Sequence, residues 1–120
     1  MAEKATEILV SKIVEALQDK KGRNIVIMNL TEIQGAICRY FVICEGGSPT
    51  QVSALSDSVW DKVSDDLKEK PLGAVGMKEA QWIAMDYGTV IVHIFLPELR
   101  SYYNLENLWA DAEIKKINGE

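Results

Sequence analysis

Tyr40-Phe41-Val42-Ile43-Cys44 runs into Gly46-Gly47 and then into Ser48-Pro49-Thr50-Gln51, and this passage decides the fold class. The first five residues form a continuous apolar run, the mark of a central strand covered on both faces. The glycines can take positive φ and turn the chain sharply. Ser48 then supplies a helix cap, Pro49 stands at the first helical position, and Gln51 follows three residues after Ser48, which matches a capping box. A strand that passes into a helix this quickly belongs to a layered fold of sheet and helices. The helix so started carries Val52, Leu55, Val59, Val63 and Leu67 at three- and four-residue steps, with Asp57, Asp61, Asp65 and Lys68 outside the stripe, until Pro71 stops it.

Upstream, Ala5 to Lys20 place Leu9, Val10, Ile13, Ala16 and Leu17 on one stripe, so a second amphipathic helix is predicted there, ended by Gly22. Asn24 to Leu30 is another short apolar run and reads as a strand. Downstream, Gln81-Trp82-Ile83-Ala84-Met85 and Thr89 to Phe95 flank Asp86-Tyr87-Gly88, with glycine where positive φ is needed, giving an antiparallel hairpin. Pro97 ends that strand. Leu99, Tyr102, Tyr103, Leu105, Leu108 and Trp109 form an aromatic-rich tail of one or two short helices that is expected to close over the core. The order of helix, strand, strand, helix, short strand, hairpin and short helices gives an α/β (α+β) fold, a mixed β-sheet flanked by helices, in one domain over residues 1–120. Several strand orders satisfy the pattern.

The chain has 120 residues of which 48% are hydrophobic, enough for one core. No run reaches the roughly 20 apolar residues of a membrane span, and the N-terminus lacks a signal-peptide pattern, so a cytoplasmic location is expected, or an organelle matrix after removal of a leader. The net charge of −5 disfavours broad contact with a phosphate backbone and suits a basic protein partner. Cys38 and Cys44 are too sparse for a disulfide framework and are expected to be structural.

Few residues offer catalytic chemistry. Gly46-Gly47-Ser48 at a strand-to-helix junction could cradle a phosphate, as in a metal-dependent nucleotidyltransferase, which is the alternative reading. Such an enzyme needs paired carboxylates on a strand to hold its metals, and no predicted strand carries Asp-x-Asp or Asp-x-Glu. Asp57, Asp61 and Asp65 repeat at helical spacing, as a solvated face does. His93, the sole histidine, alternates with Ile91 and Phe95 and has no identifiable nucleophile beside it, so a hydrogen-bonded structural role is expected. Cys38, Cys44 and His93 lack the spacings of structural zinc. No cofactor, metal or catalytic residue is assigned.

The hairpin is more informative. Alternation sends Ile83 and Met85 to one face and Trp82, Ala84 and Asp86 to the other. With Ile83 and Met85 in the core, Trp82 and Asp86 are presented outward beside Tyr87, and exposed aromatics flanked by acids make a protein-binding hot spot for a basic partner. The other placement, Trp82 packed beneath a helix, stays open. An exposed hairpin or aromatic tail can also self-associate, and a homodimer is expected.

Asp86-Tyr87-Gly88, Val90 to Phe95, Pro97-Glu98, Arg100, Tyr103, Leu105-Glu106 and Leu108-Trp109 together resemble the Iojap-like ribosome-silencing factors, as do Tyr40-Phe41-Val42-Ile43 with the Gly-Ser turn and Pro71-Leu72-Gly73. The resemblance spans roughly Ile8 to Ala112. It implies a minimal nucleotidyltransferase-like fold lacking the catalytic carboxylates, and no enzymatic activity. It further implies binding to large-subunit ribosomal protein fourteen, steric blocking of subunit association, and repression of translation when nutrients are scarce. On that basis Trp82, Asp86 and Tyr87, with Glu79, Leu99 and Tyr103, are the expected partner-binding residues.

Overall fold

A computed structural model describes residues 2–117; Met1 and residues 118–120 of the expected domain lie outside the described residues. The elements in chain order are α1 (Ala2–Asp19), β1 (Arg23–Asn29), β2 (Tyr40–Glu45), α2 (Pro49–Leu67), β3 (Gly73–Val75), β4 (Trp82–Asp86), β5 (Val90–Phe95), α3 (Pro97–Tyr103), α4 (Leu105–Leu108) and β6 (Glu113–Lys116). One mixed six-stranded sheet runs β3-β4-β5-β2-β1-β6. Its centre, β2 beside β5, is parallel, and every other pair is antiparallel.

Alternation along the strands sorts apolar side chains into two cores. Helices α1 and α2 cover one face, where Ile13, Leu17, Leu55, Val59 and Val63 meet Val42, Cys44, Ile83, Met85, Val92 and Ile94. On the other face Val26, Met28, Phe41, Ile43 and Phe95 pack with Ala112, Leu99, Leu105 and Trp109. The apolar stripes read from the sequence are the buried faces of α1 and α2, the expected outcome of a 3.6-residue period against a sheet. In the tail, Leu99, Leu105 and Trp109 close over the second core, whereas Tyr102 and Leu108 point to solvent. Strand β6 is absent from the sequence reading because Glu113 to Lys116 are all exposed and show no apolar alternation.

The turns depart from the expectation in detail. Helix α1 ends in a Schellman arrangement in which Lys21, not Gly22, takes the left-handed conformation at φ 62°, with Gly22 N–H bonded to the Leu17 carbonyl at 2.8 Å and Lys21 N–H to Gln18 at 3.0 Å. Glycine is required at 22 for closeness, since a Cβ there would lie 2.4 Å from Cys44 Sγ. Gly46 and Gly47 likewise do not adopt positive φ. The capping box forms in shifted form: Ser48 Oγ accepts from Gln51 N–H at 3.1 Å, while Gln51 Oε1 accepts from Gly47 N–H at 2.7 Å. The Gln51 amide also donates to the Lys20 and Lys21 carbonyls, tying the end of α1 to the start of α2.

Candidate protein-binding face

The second sheet face is only partly roofed. The short helices α3 and α4 lie over it, and the strip from β3 through β4 to β5 is left with several apolar side chains in contact with water. Register brings Val75 opposite Ala84, Ala84 opposite His93, and Trp82 opposite Phe95. Tyr103, from the last turn of α3, reaches the Trp82 indole with ring centroids 4.5 Å apart, and Phe95 stacks on it at 5.0 Å with an interplanar angle of 23°. Trp82 is therefore half-buried between a core ring and a surface ring, between the two placements left open by the sequence. Val75 is 65% exposed, Tyr103 44% and Tyr102 78%, so the strip continues past Trp82 on both sides.

The loop before β4 fixes where this surface begins. Gly76 has φ +85°, and a Cβ on it would sit 2.0 Å from the Trp82 carbonyl oxygen, so only glycine lets the 76–81 loop fold back on the strand. Ala80 N–H bonds to the Gly76 carbonyl at 3.0 Å, closing that loop. Glu79, within it, is exposed, and so is Asp86 at the other end of β4. One oxygen of Asp86 accepts from Gly88 N–H at 2.8 Å, which holds the hairpin turn with Gly88 at φ +90°.

Tyr87 corrects the expectation. It is 7% exposed and packs with the core beneath α1 and α2. The reason is alternation itself: Ile83, Met85 and Tyr87 share parity, and the strand twist continues one residue past Asp86, with Tyr87 N–H bonded to the Val90 carbonyl at 2.8 Å. Burial, with a smaller contribution from Glu69, pushes the phenol up to about 12. Of the six expected residues, Trp82, Leu99 and Tyr103 sit together on the second face and Asp86 lies at the far end of β4, whereas Glu79 stands against the start of α2 on the other side of the sheet and Tyr87 is buried in the first core. Val75 and Tyr102 were missed, the first because a three-residue strand shows no period, the second because a helix of seven residues barely shows one.

His93 lies under this surface. Trp82 Nε1–H donates to His93 Nδ1 at 3.1 Å, and Phe41 meets the imidazole edge-on at 4.7 Å. Burial pushes the imidazole down to about 4, so it is neutral near pH 7. The hydrogen-bonded histidine expected from the sequence thus has its partner, an indole.

Arg100, outside the expected binding residues, organises the neighbouring corner. Its guanidinium donates to the Asn24 carbonyl at 2.6 Å, to Glu45 at 3.1 Å and to Glu106 at 2.7 Å while only 8% exposed. These bonds anchor α3 and α4 to the ends of β1 and β2, and so set the roof that carries Tyr103. The corner borders a cleft of about 430 Å³ lined by Glu45, Arg100, Glu106 and Lys116.

Features needed for nucleotidyl transfer are engaged elsewhere. Gly46 N–H bonds to the Phe95 carbonyl at 2.9 Å and Gly47 N–H to Gln51, so neither amide is offered to a phosphate. Asp57, Asp61 and Asp65 stand exposed along α2, away from any strand pair. Burial pushes the Cys38 thiol up to about 11 and the Cys44 thiol up to about 12, as inert structural cysteines require.

Comparison with known proteins places these features in a family. A model of the family described as ribosomal silencing factor during starvation, RsfS, matches residues 2–120. The ribosomal silencing factor RsfS of Halalkalibacterium halodurans is 36% identical over 111 residues, covering 92% of this chain and 93% of its own. The chloroplastic protein Iojap of Zea mays is 36% identical over 77 residues, 62% of this chain and 32% of that protein. A crystal structure from Chromobacterium violaceum, 29% identical, superposes with a TM-score of 0.82 over 94% of this chain and 92% of the other.

Proposed function

The chain belongs to the RsfS family of ribosomal silencing factors, and on that premise we propose that it binds the large ribosomal subunit and sterically prevents the small subunit from joining. The contact is a basic protein of the large subunit, ribosomal protein fourteen, and the outcome is repression of translation in the cytoplasm under nutrient limitation. The observation that carries this reading is the half-open apolar strip of Val75, Trp82 and Tyr103, with the exposed carboxylate Asp86 at the far end of β4. Rigid aromatic rings supply contact area at little entropic cost, while carboxylates at the rim select a basic partner and speed encounter. The role is one of binding and occlusion and requires no turnover. The engaged glycine amides and the dispersed helical acids support that view. The same apolar strip, free of its partner, supports a homodimer in solution, which light scattering across a dilution series would detect.

The test is sedimentation with isolated large subunits, followed by addition of small subunits at a magnesium level that supports joining. The protein should travel with the large subunit and reduce the joined fraction. Trp82→Ala combined with Asp86→Lys should abolish binding with the fold intact, since one hot-spot aromatic contributes about 2 kcal/mol or more. Binding should also weaken with salt, because rim charges are screened over about 8 Å at physiological ionic strength. Undiminished binding by the double variant would remove this face from the account.

A further inference from the structure

The Trp82 side chain has one polar atom, the indole N–H, and among the described residues that donor meets His93 Nδ1, 3.1 Å away. The sheet register makes this pairing. Trp82 stands directly across from Phe95, and His93 is its diagonal neighbour on β5. Ala84, opposite His93, has only a methyl group and offers the imidazole no hydrogen-bonding side chain.

An indole N–H can only donate, so Nδ1 must be the bare nitrogen and the imidazole proton must sit on Nε2. That atom is buried and has no hydrogen-bond partner among the described residues. A buried, unpaired N–H costs at least as much as one neutral hydrogen bond returns. The pair is therefore a poor stabilising device, and an apolar side chain would serve the core better. What the imidazole provides is direction. It holds the indole edge at a fixed point while Phe95 and Tyr103 fix its plane, so that the Trp82 ring is constrained from two elements, β5 through His93 and Phe95 and α3 through Tyr103.

We propose that His93 is a positioning residue of the docking surface: through Nδ1 it locks the Trp82 indole in the orientation that the ribosomal partner meets. This rests on the docking function proposed above. A ring already held in its bound orientation loses little freedom on association, and the loss of that preorganisation appears as weaker binding rather than as a change in fold. His93 itself is buried and touches no partner.

The experiment uses the full chain, labelled with nitrogen-15, and purified large subunits. Three tryptophans give three indole N–H signals, and Trp82→Phe assigns the relevant one. In His93→Leu that signal should move upfield and exchange faster with water, and large-subunit binding should weaken about five- to tenfold, the worth of one hydrogen bond plus a freed side chain. His93→Asn, whose Oδ1 falls near the position of Nδ1, should restore both. Trp82→Phe keeps the stacked ring and removes the donor, so it reads the same bond from the other side and should weaken binding to a similar degree even where His93→Leu fails to fold. Wild-type binding by His93→Leu or by Trp82→Phe, alongside lost binding by Trp82→Ala, overturns the positioning role and leaves the docking face standing. Failure of His93→Asn to rescue a folded but weak His93→Leu variant also overturns it, since packing would then be the cause. Wild-type binding by Trp82→Ala removes both proposals.

Discussion

Acidification should unfold this protein partly through His93. Burial holds the folded imidazole near 4, against an ordinary value of 6.5. The unfolded chain therefore binds a proton at this site that the folded chain refuses, and stability falls as pH falls. The contribution is fully present above about pH 6.5 and is lost progressively down to about pH 4, below which both states are protonated. At 1.36 kcal/mol per pH unit the whole effect is worth about 3 kcal/mol, with roughly 2 kcal/mol gone by pH 5. Carboxylates titrate in the same range, so the assay is a difference: urea unfolding of the wild type and of His93→Asn at pH 7, 5 and 4. The other groups cancel, and the variant, which has no imidazole, should lose less stability on acidification than the wild type by these amounts. A wild-type minus variant difference that stays constant within about 0.5 kcal/mol across that range would refute the burial argument.

Three further outcomes test the scaffold. Gly76→Ala, which combines positive φ with a Cβ 2.0 Å from a carbonyl oxygen, should lower the melting temperature and displace the Trp82 backbone; circular dichroism and the Trp82 indole signal would report both, at a cost of about 2 kcal/mol or more. Arg100→Leu strips the bridging guanidinium from Glu45 and Glu106 at their shared contact and should destabilise by about 3 kcal/mol in chemical denaturation, since one partner of a buried ion pair is then left uncompensated. Leu55→Ala, at a fully buried position on the inner face of α2, should cost about 2–5 kcal/mol by the same assay, with large-subunit binding retained below the unfolding transition.

Most of the local elements and the family resemblance were legible along the chain. Period 3.6 marked α1 and α2, continuous apolar runs marked β1 and β2, Ser48-Pro49 set a helix start, and Asp86 to Gly88 set a hairpin, because each of these signals depends on residues close in the chain. The same local rule, carried one residue further along β4, would have turned Tyr87 inward; the expectation of an exposed tyrosine arose from treating the turn as the end of alternation.

The site depends on how those elements assemble. Strand order, the edge strand β6 and the uncovered strip beside β3 follow from how one sheet is assembled, which several orders of the same strands would satisfy equally well in pattern. The Arg100 cluster joins residues 76 positions apart at Asn24 and 55 apart at Glu45, and no local period encodes such a meeting. The Trp82–His93 bond spans 11 residues, yet it exists only because the hairpin register sets the two side chains on a diagonal of one sheet face. Hydrophobic spacing tells a chain which side chains to bury; which buried side chains meet is settled by register and by the helices that close over them.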